Sequence, residues 1–95
     1  MFYSKTFKSK DHFVVAICDQ NLLGKKIGKT IGFEVKKEFY GNELIDSEKA
    51  VELMRKSTIG NIIGKVIVKL AMEKKFITKK NIIFIGDIPH AQFIR

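Results

Sequence analysis

The sequence predicts an α+β fold: a small mixed or antiparallel sheet of about five strands, in the order β-β-β-α-α-β-β, packed against two helices. Short runs of β-branched and aromatic residues lie near both ends of the chain. Between them, apolar positions recur with a helical spacing. Size agrees with this: 95 residues, 45% of them apolar, make one domain, residues 1–95, with a core of its own.

"FYSKTFK" (2–8) mixes aromatic and polar residues and reads as a strand, and "SKD" (9–11) as a turn. "HFVVAIC" (12–18) is apolar on both faces, which marks a central strand and makes residues 1–18 a hairpin. "DQNLLGKKIGKTIG" breaks the pattern with Asp, Asn and glycines, giving a helical turn around Asn21 to Lys25 and then a loop. In "FEVKKEFY", Phe33, Val35 and Phe39 alternate with Glu34, Lys36 and Glu38, the pattern of a half-buried strand that Gly41-Asn42 would end. "DSEKAVELMRK" opens a helix capped by Asp46 or Ser47, with Ala50, Val51, Leu53 and Met54 facing the core.

The next apolar stripe is Ile59, Ile62, Ile63, Val66 and Leu70. It is rotated by on the order of 120° from the first, so two helices are expected, separated or sharply kinked between Ser57 and Gly60. Gly60 and Gly64 would then sit one turn apart and let a neighbour approach closely. "TKKN" should close the second helix and "IIFI" (82–85) form a buried strand. Gly86 to Pro89 reads as a reversal, with Pro89 in a tight turn or opening an edge strand, and "AQFI" as the last strand.

Net charge is +8, distributed as +5 over residues 1–37, −4 over 38–54 and +7 over 55–95. Such an excess favours a polyanionic partner. Sixteen of the eighteen basic residues are lysines, which suits a solvated surface and an AT-rich genome better than base reading by arginine forks. Cys18 is the lone cysteine, which excludes an internal disulfide and fits a reducing, cytoplasmic setting. The N-terminus has no apolar run of signal length, and Ser57 to Gly64 is too short to cross a bilayer, so no membrane association is expected.

Motifs are few. "GNIIGK" (60–65) has three residues between its glycines and Val66 after the lysine, so it does not meet the P-loop pattern. "LLGKKIGKTI" (22–31) is one residue too long between Gly24 and Gly28 for the backbone-clamping turn of KH domains; a lysine-rich loop with Lys25, Lys26 and Lys29 is what it offers. Lys25, Lys26, Lys65 and Lys69 are candidate phosphate contacts, and Tyr40, beside a glycine, a candidate base-stacking residue. Asn61, His90 and Gln92 form a candidate polar patch. Pro89 holds His90 in a defined place, and His90 is expected to be partly exposed beside the 57–64 break or the 19–25 loop. No metal or cofactor is expected, since His12 and His90 lie far apart and no ligand spacing joins them.

Four fragments, "CDQNLLGK" (18–25), "EFYGNEL" (38–44), "STIGNIIG" (57–64) and "IPHAQ" (88–92), occur in an order and spacing that resembles an archaeal family known as domain of unknown function number 424. The resemblance runs the length of the chain and implies a small cytoplasmic protein; it brings no assigned activity or site residues. The leading expectation is therefore a basic binding module without catalysis, associated with RNA or a ribonucleoprotein. Beside it stand a small hydrolase or transferase using Cys18, Asp19 and His90, and a protein-interaction adaptor using the acidic segment 38–54.

Overall fold

Strands β1 (Phe2–Lys8) and β2 (Phe13–Asp19) form the expected hairpin, antiparallel from Phe2 opposite Asp19 to Lys8 opposite Phe13. The structure is a computed structural model that describes residues 1–28, 32–41 and 43–95. Lys29, expected in the basic loop, and Asn42, expected at a strand end, lie outside the described residues. After β2 come a 3-10 turn (Gln20–Leu22), the two-residue strands β3 (Lys26–Ile27) and β4 (Phe33–Glu34), and a single helical turn α1 (Lys37–Tyr40). Then follow β5 (Glu43–Ile45), α2 (Ser47–Lys56), β6 (Ile59–Ile63), α3 (Lys65–Glu73), a second 3-10 turn (Lys79–Asn81), β7 (Ile82–Ile85) and β8 (Ile88–Ile94).

The fold class is α+β, built on a six-stranded mixed sheet in the order β5-β1-β2-β6-β8-β7. Only β2 and β6 run parallel; the crossover between them carries α2. Residues opposite one another share a face, so the registers sort the side chains. One face presents Phe2, Val15, Ile17, Ile62, Ala91 and Phe93, and α2 and α3 cover it with Ala50, Leu53, Met54, Ile67, Val68 and Ala71. The other presents Ala16, Cys18, Ile63 and His90, covered at one end by Leu22, Val35 and Tyr40 of the 20–41 segment. Three layers result: helices, sheet, and a small irregular lid of chain.

The two helices are separate, as expected, but the reason differs. Residues 59–63 form β6, a central strand. The helical stripe counted through Ile59 therefore has the wrong phase for α3: Val66 is 60% exposed, and Ile67, Val68 and Ala71 turn inward instead. The two glycines serve the strand. A Cβ on Gly60 would lie 2.1 Å from the Phe93 ring, and one on Gly64, whose φ is 127°, would lie 2.3 Å from the Asp19 carboxyl carbon. "FEVKKEFY" is also not one strand. β4 has only β3 beside it, and the chain turns at Lys36 into α1, which carries Tyr40 inward.

Two expectations at the C-terminal hairpin need correction. "IIFI" is the sheet's edge strand, with Ile83 61% and Phe84 68% exposed, and is not buried. Pro89 is buried within β8, between β6 and β7, with the turn earlier at Gly86-Asp87. Its missing N–H is harmless there. The Pro89 carbonyl accepts from Gly64 N on the β6 side, and the Gly64 carbonyl, the nearest candidate acceptor, is already used by Val68 N.

Asp19, only 7% exposed, accepts from Val66 N and Ile67 N, both at 2.9 Å, and so caps α3 from the end of β2. Asp19→Ala is expected to lower unfolding stability by about 2 kcal/mol and Asp19→Asn by about 1 kcal/mol. Gly64→Ala should cost on the order of 3 kcal/mol or more, because it combines a steric collision with an unfavourable φ. Urea unfolding midpoints at constant slope check the ranking.

Candidate functional site

The cleft is built around one amide. Asn61 lies at the middle of β6, on the face away from the helices, and its Oδ1 accepts from the Tyr40 hydroxyl and from His90 Nε2, each at 2.8 Å. A carbonyl oxygen cannot donate, so His90 carries its proton on Nε2 and leaves Nδ1 as an acceptor. The pair follows from sheet register. Asn61 is opposite Gln92, and His90 is opposite Ile63, so Asn61 and His90 are diagonal neighbours on one face. Tyr40 arrives from the lid, where α1 turns its ring under the chain.

Around this floor is a cleft of about 520 Å³, lined by Phe33, Glu34, Lys36, Phe39, Tyr40, Asn61 and His90. That volume is within the range of small-molecule sites. Phe33 is tilted toward His90 at 6.3 Å between ring centroids, and Phe39 meets the Tyr40 ring edge-on at 4.9 Å while stacking on Phe7 at 5.5 Å. The walls are thus largely aromatic, with one acid and one base among the lining residues. Burial holds the His90 imidazole below the ordinary histidine value, so it is neutral at pH 7. Burial pushes the Tyr40 phenol well above its ordinary value, so its hydroxyl stays a donor.

Of the three polar candidates, Asn61 and His90 are hydrogen-bonded, and Gln92 is exposed and opposite Asn61 by register. His90 is half-buried and next to the 57–64 segment, as expected. Its other neighbours are Phe33 and Tyr40, not the 19–25 loop. Tyr40 needs correction as a stacking residue. It is 2% exposed, its ring closes the second core cluster, and no face is free for a base. Phe33 and Phe39, with partly open rings, were missed because their segment reads as a strand. Lys36 was missed for the same reason.

The four candidate lysines do not make one patch. Lys25 and Lys26 are exposed on the lid side, and Lys65 and Lys69 are exposed on α3, with the sheet between the layers. A second basic surface lies where β1 meets α2: Lys8, Lys49 and Lys56 border a groove of about 330 Å³ beside Glu43. Lys49 and Lys56 lie two turns apart on α2, and the fold brings Lys8 of β1 beside them.

Cys18, Asp19 and His90 do not converge. Cys18 is opposite Ile63, and Ile63 is opposite His90, so a whole strand separates thiol from imidazole, roughly 10 Å. Burial pushes the Cys18 thiol up to about 12, which keeps it protonated. Asp19 faces the helix layer and is occupied as the α3 cap. Among the described residues no group of three His, Cys, Asp or Glu could hold a metal ion, and no helix is long and apolar enough to cross a membrane.

Fold and site together describe a small α+β protein with an aromatic-walled cleft floored by a Tyr–Asn–His hydrogen-bonded set. Residues 7–95 match the family described as "Protein of unknown function (DUF424)", and the chain belongs to that family. The fold is also similar to a crystal structure of an uncharacterized conserved protein from Methanopyrus kandleri, with a TM-score of 0.78 and 19% sequence identity. The alignment covers 97% of this chain and 89% of that one. No curated protein matches the chain.

Two outcomes are expected of the floor. Asn61→Ala leaves the buried Tyr40 hydroxyl without an acceptor and should cost about 1–3 kcal/mol. Adding Tyr40→Phe removes the orphan, so the double variant should lose less than the sum of the singles in a double-mutant cycle. The pH dependence follows from His90. Its native value lies below its unfolded one, so the unfolded chain binds more protons as pH falls below about 6.5. Stability should be fully present above that pH and decline below it. His90→Gln should flatten that decline in melts taken across the acid range.

Proposed function

We propose that this protein is a basic binding module without catalysis that associates with RNA, free or in a ribonucleoprotein, and takes an unpaired base into the Asn61–His90 cleft. The observation that carries the proposal is the cleft floor. The Asn61 amide N–H groups and His90 Nδ1 have no bonded partner among the described residues, so a donor and an acceptor remain beside aromatic walls. That is the combination a planar heterocycle with hydrogen-bonding edges requires. A net charge of +8 supplies attraction to a phosphate chain, and Lys25, Lys26 and Lys36 belong to the segment that forms the lid.

In this reading the base slides between Phe33 and the sheet, and the edge of its ring reaches Asn61 and His90. The neutral, Nε2-protonated His90 is required, because protonation at Nδ1 would remove the acceptor. Lysines then contact the flanking phosphates without reading sequence.

The experiment is fluorescence anisotropy with a single-stranded and a duplex RNA of equal length over a salt series. Single-stranded RNA should bind more tightly, with affinity falling steeply as salt rises. Lys25→Gln with Lys26→Gln should reduce the salt slope by about 2, and more than Lys65→Gln with Lys69→Gln, which lie on the other layer. His90→Ala should weaken single-stranded binding about tenfold at unchanged slope while lowering stability by about 1 kcal/mol, the loss of one hydrogen bond. Absence of RNA binding even at low salt would refute the proposal.

A further inference from the structure

The free edge of the sheet is chemically unlike the rest of the surface. β7 is an edge strand of four residues, Ile82–Ile85, none of them charged, in a chain of which 29% is charged. Natural sheets usually guard such edges with lysines, proline, a bulge or extreme shortness. The opposite edge follows the rule: β5 has three residues and opens on exposed Glu43. On β7, Ile83 is 61% and Phe84 68% exposed.

Among the described residues no strand pairs with the outer side of β7, although Gly28 lies against Ile85 and Gly86 at its end. Pro89 bonds outward to Gly64, so the Phe84–Pro89 pair is of the non-hydrogen-bonded kind, and the N–H and C=O of Phe84 point to the free side. The Ile82 carbonyl points the same way, while the Ile82 N–H is already held by the Lys79 carbonyl. Charges flank the strand asymmetrically: Lys79 and Lys80 precede it and Asp87 follows it. An antiparallel copy of the same strand would bring the basic start of each to the acidic turn of the other.

We infer that β7 pairs antiparallel with β7 of a second copy of this chain about a two-fold axis, joining two six-stranded sheets into one. A two-fold perpendicular to the sheet keeps each residue on its own face, so the pairing centres on a residue opposite its own copy. With Ile83 at the centre, each Phe84 N–H meets the Ile82 carbonyl of the other copy. Ile83 packs on Ile83, and each Phe84 covers the Ile82 of the other copy on the helix side. This surface complements itself, whereas an RNA backbone would find no charge on it.

The dimer rests on observations independent of RNA binding, but it bears on it. His90 is directly opposite Ile83. The two clefts would open on the same face, with the His90 residues three strand spacings apart, roughly 14 Å. One strand of RNA could then engage both.

Sedimentation equilibrium without nucleic acid, from micromolar to millimolar protein, is the test. The average mass should climb from 10.9 kDa toward twice that value, and do so more readily as salt screens the +8 charge of each chain. This salt response is opposite in sign to that of RNA binding, so failure of one idea is distinguishable from failure of the other. Ile83→Lys, at an exposed position, should melt as wild type and remain monomeric throughout. Asp87→Lys should weaken the dimer at least tenfold, and adding Lys79→Asp and Lys80→Asp should restore it. Exchange of the Phe84 amide should slow as concentration rises. A monomer at every concentration would overturn the inference and leave the edge to a strand of some other protein; a dimer that survives Ile83→Lys would overturn it as well.

Discussion

The Asp19 carboxylate under the start of α3 is the contact on which the arrangement hangs. Asp19 is the last residue of β2, and the helix it caps begins immediately after β6, the parallel neighbour of β2. A parallel pair has no tight turn to set its register, so something else must. Here two backbone N–H groups on one carboxylate fix where β6 ends relative to β2. Gly64 is the residue that permits this, since any side chain would occupy the carboxylate's position. The Gly64 N–H in turn reaches the Pro89 carbonyl and sets β8 beside β6. Asn61 and His90 inherit their diagonal relation from that chain of contacts.

The two covers of the sheet differ in how they are held. On the helix side, α2 and α3 bury a continuous apolar layer, and the Phe93 ring fills the space that Gly60 leaves. On the other side the lid is tied by a two-residue ladder, by Gly24 N to the Val35 carbonyl, by Val35 N to the Lys25 carbonyl, and by the Tyr40 hydroxyl on Asn61. A buried polar contact of this kind gains strength from low dielectric and fails badly when half-satisfied. The Tyr40–Asn61 hydrogen bond thus fixes the lid beside the apolar cluster of Leu22, Val35 and Tyr40 that packs it on the sheet.

What could be read from the sequence follows from how local each cause is. The β1–β2 hairpin, the cap at Asp46 and the end of α2 before Ser57 are set by neighbours in the chain, and each was legible. β6 was not. Its isoleucines continue a helical repeat, and the reason for glycine at 60 is an aromatic ring supplied thirty-three residues later. A β-branched stretch bounded by such glycines is itself a strand signal, although weaker than the apparent stripe. The α1 turn failed for the opposite reason: alternation implies a strand only if a neighbouring strand exists to pair with, and β4 has just β3.

The site was partly legible, and the division has a physical basis. His90 drew attention because a histidine held in place by a proline asks for a partner, and Asn61 is that partner. Lysines give no such signal. Their charge acts over about a Debye length whatever layer they occupy, so sequence reveals their number and not their grouping. The same distinction separates the roles within the molecule. The lysines are dispersed over both layers, while the cleft pairs one acid with one base and is lined chiefly by uncharged groups. Surface charge and the hydrogen-bonding groups of the cleft therefore belong to different parts of the protein. The first is tunable by surface substitution without touching the fold, whereas the second is bound to it, because Asn61 Oδ1 holds both Tyr40 and His90.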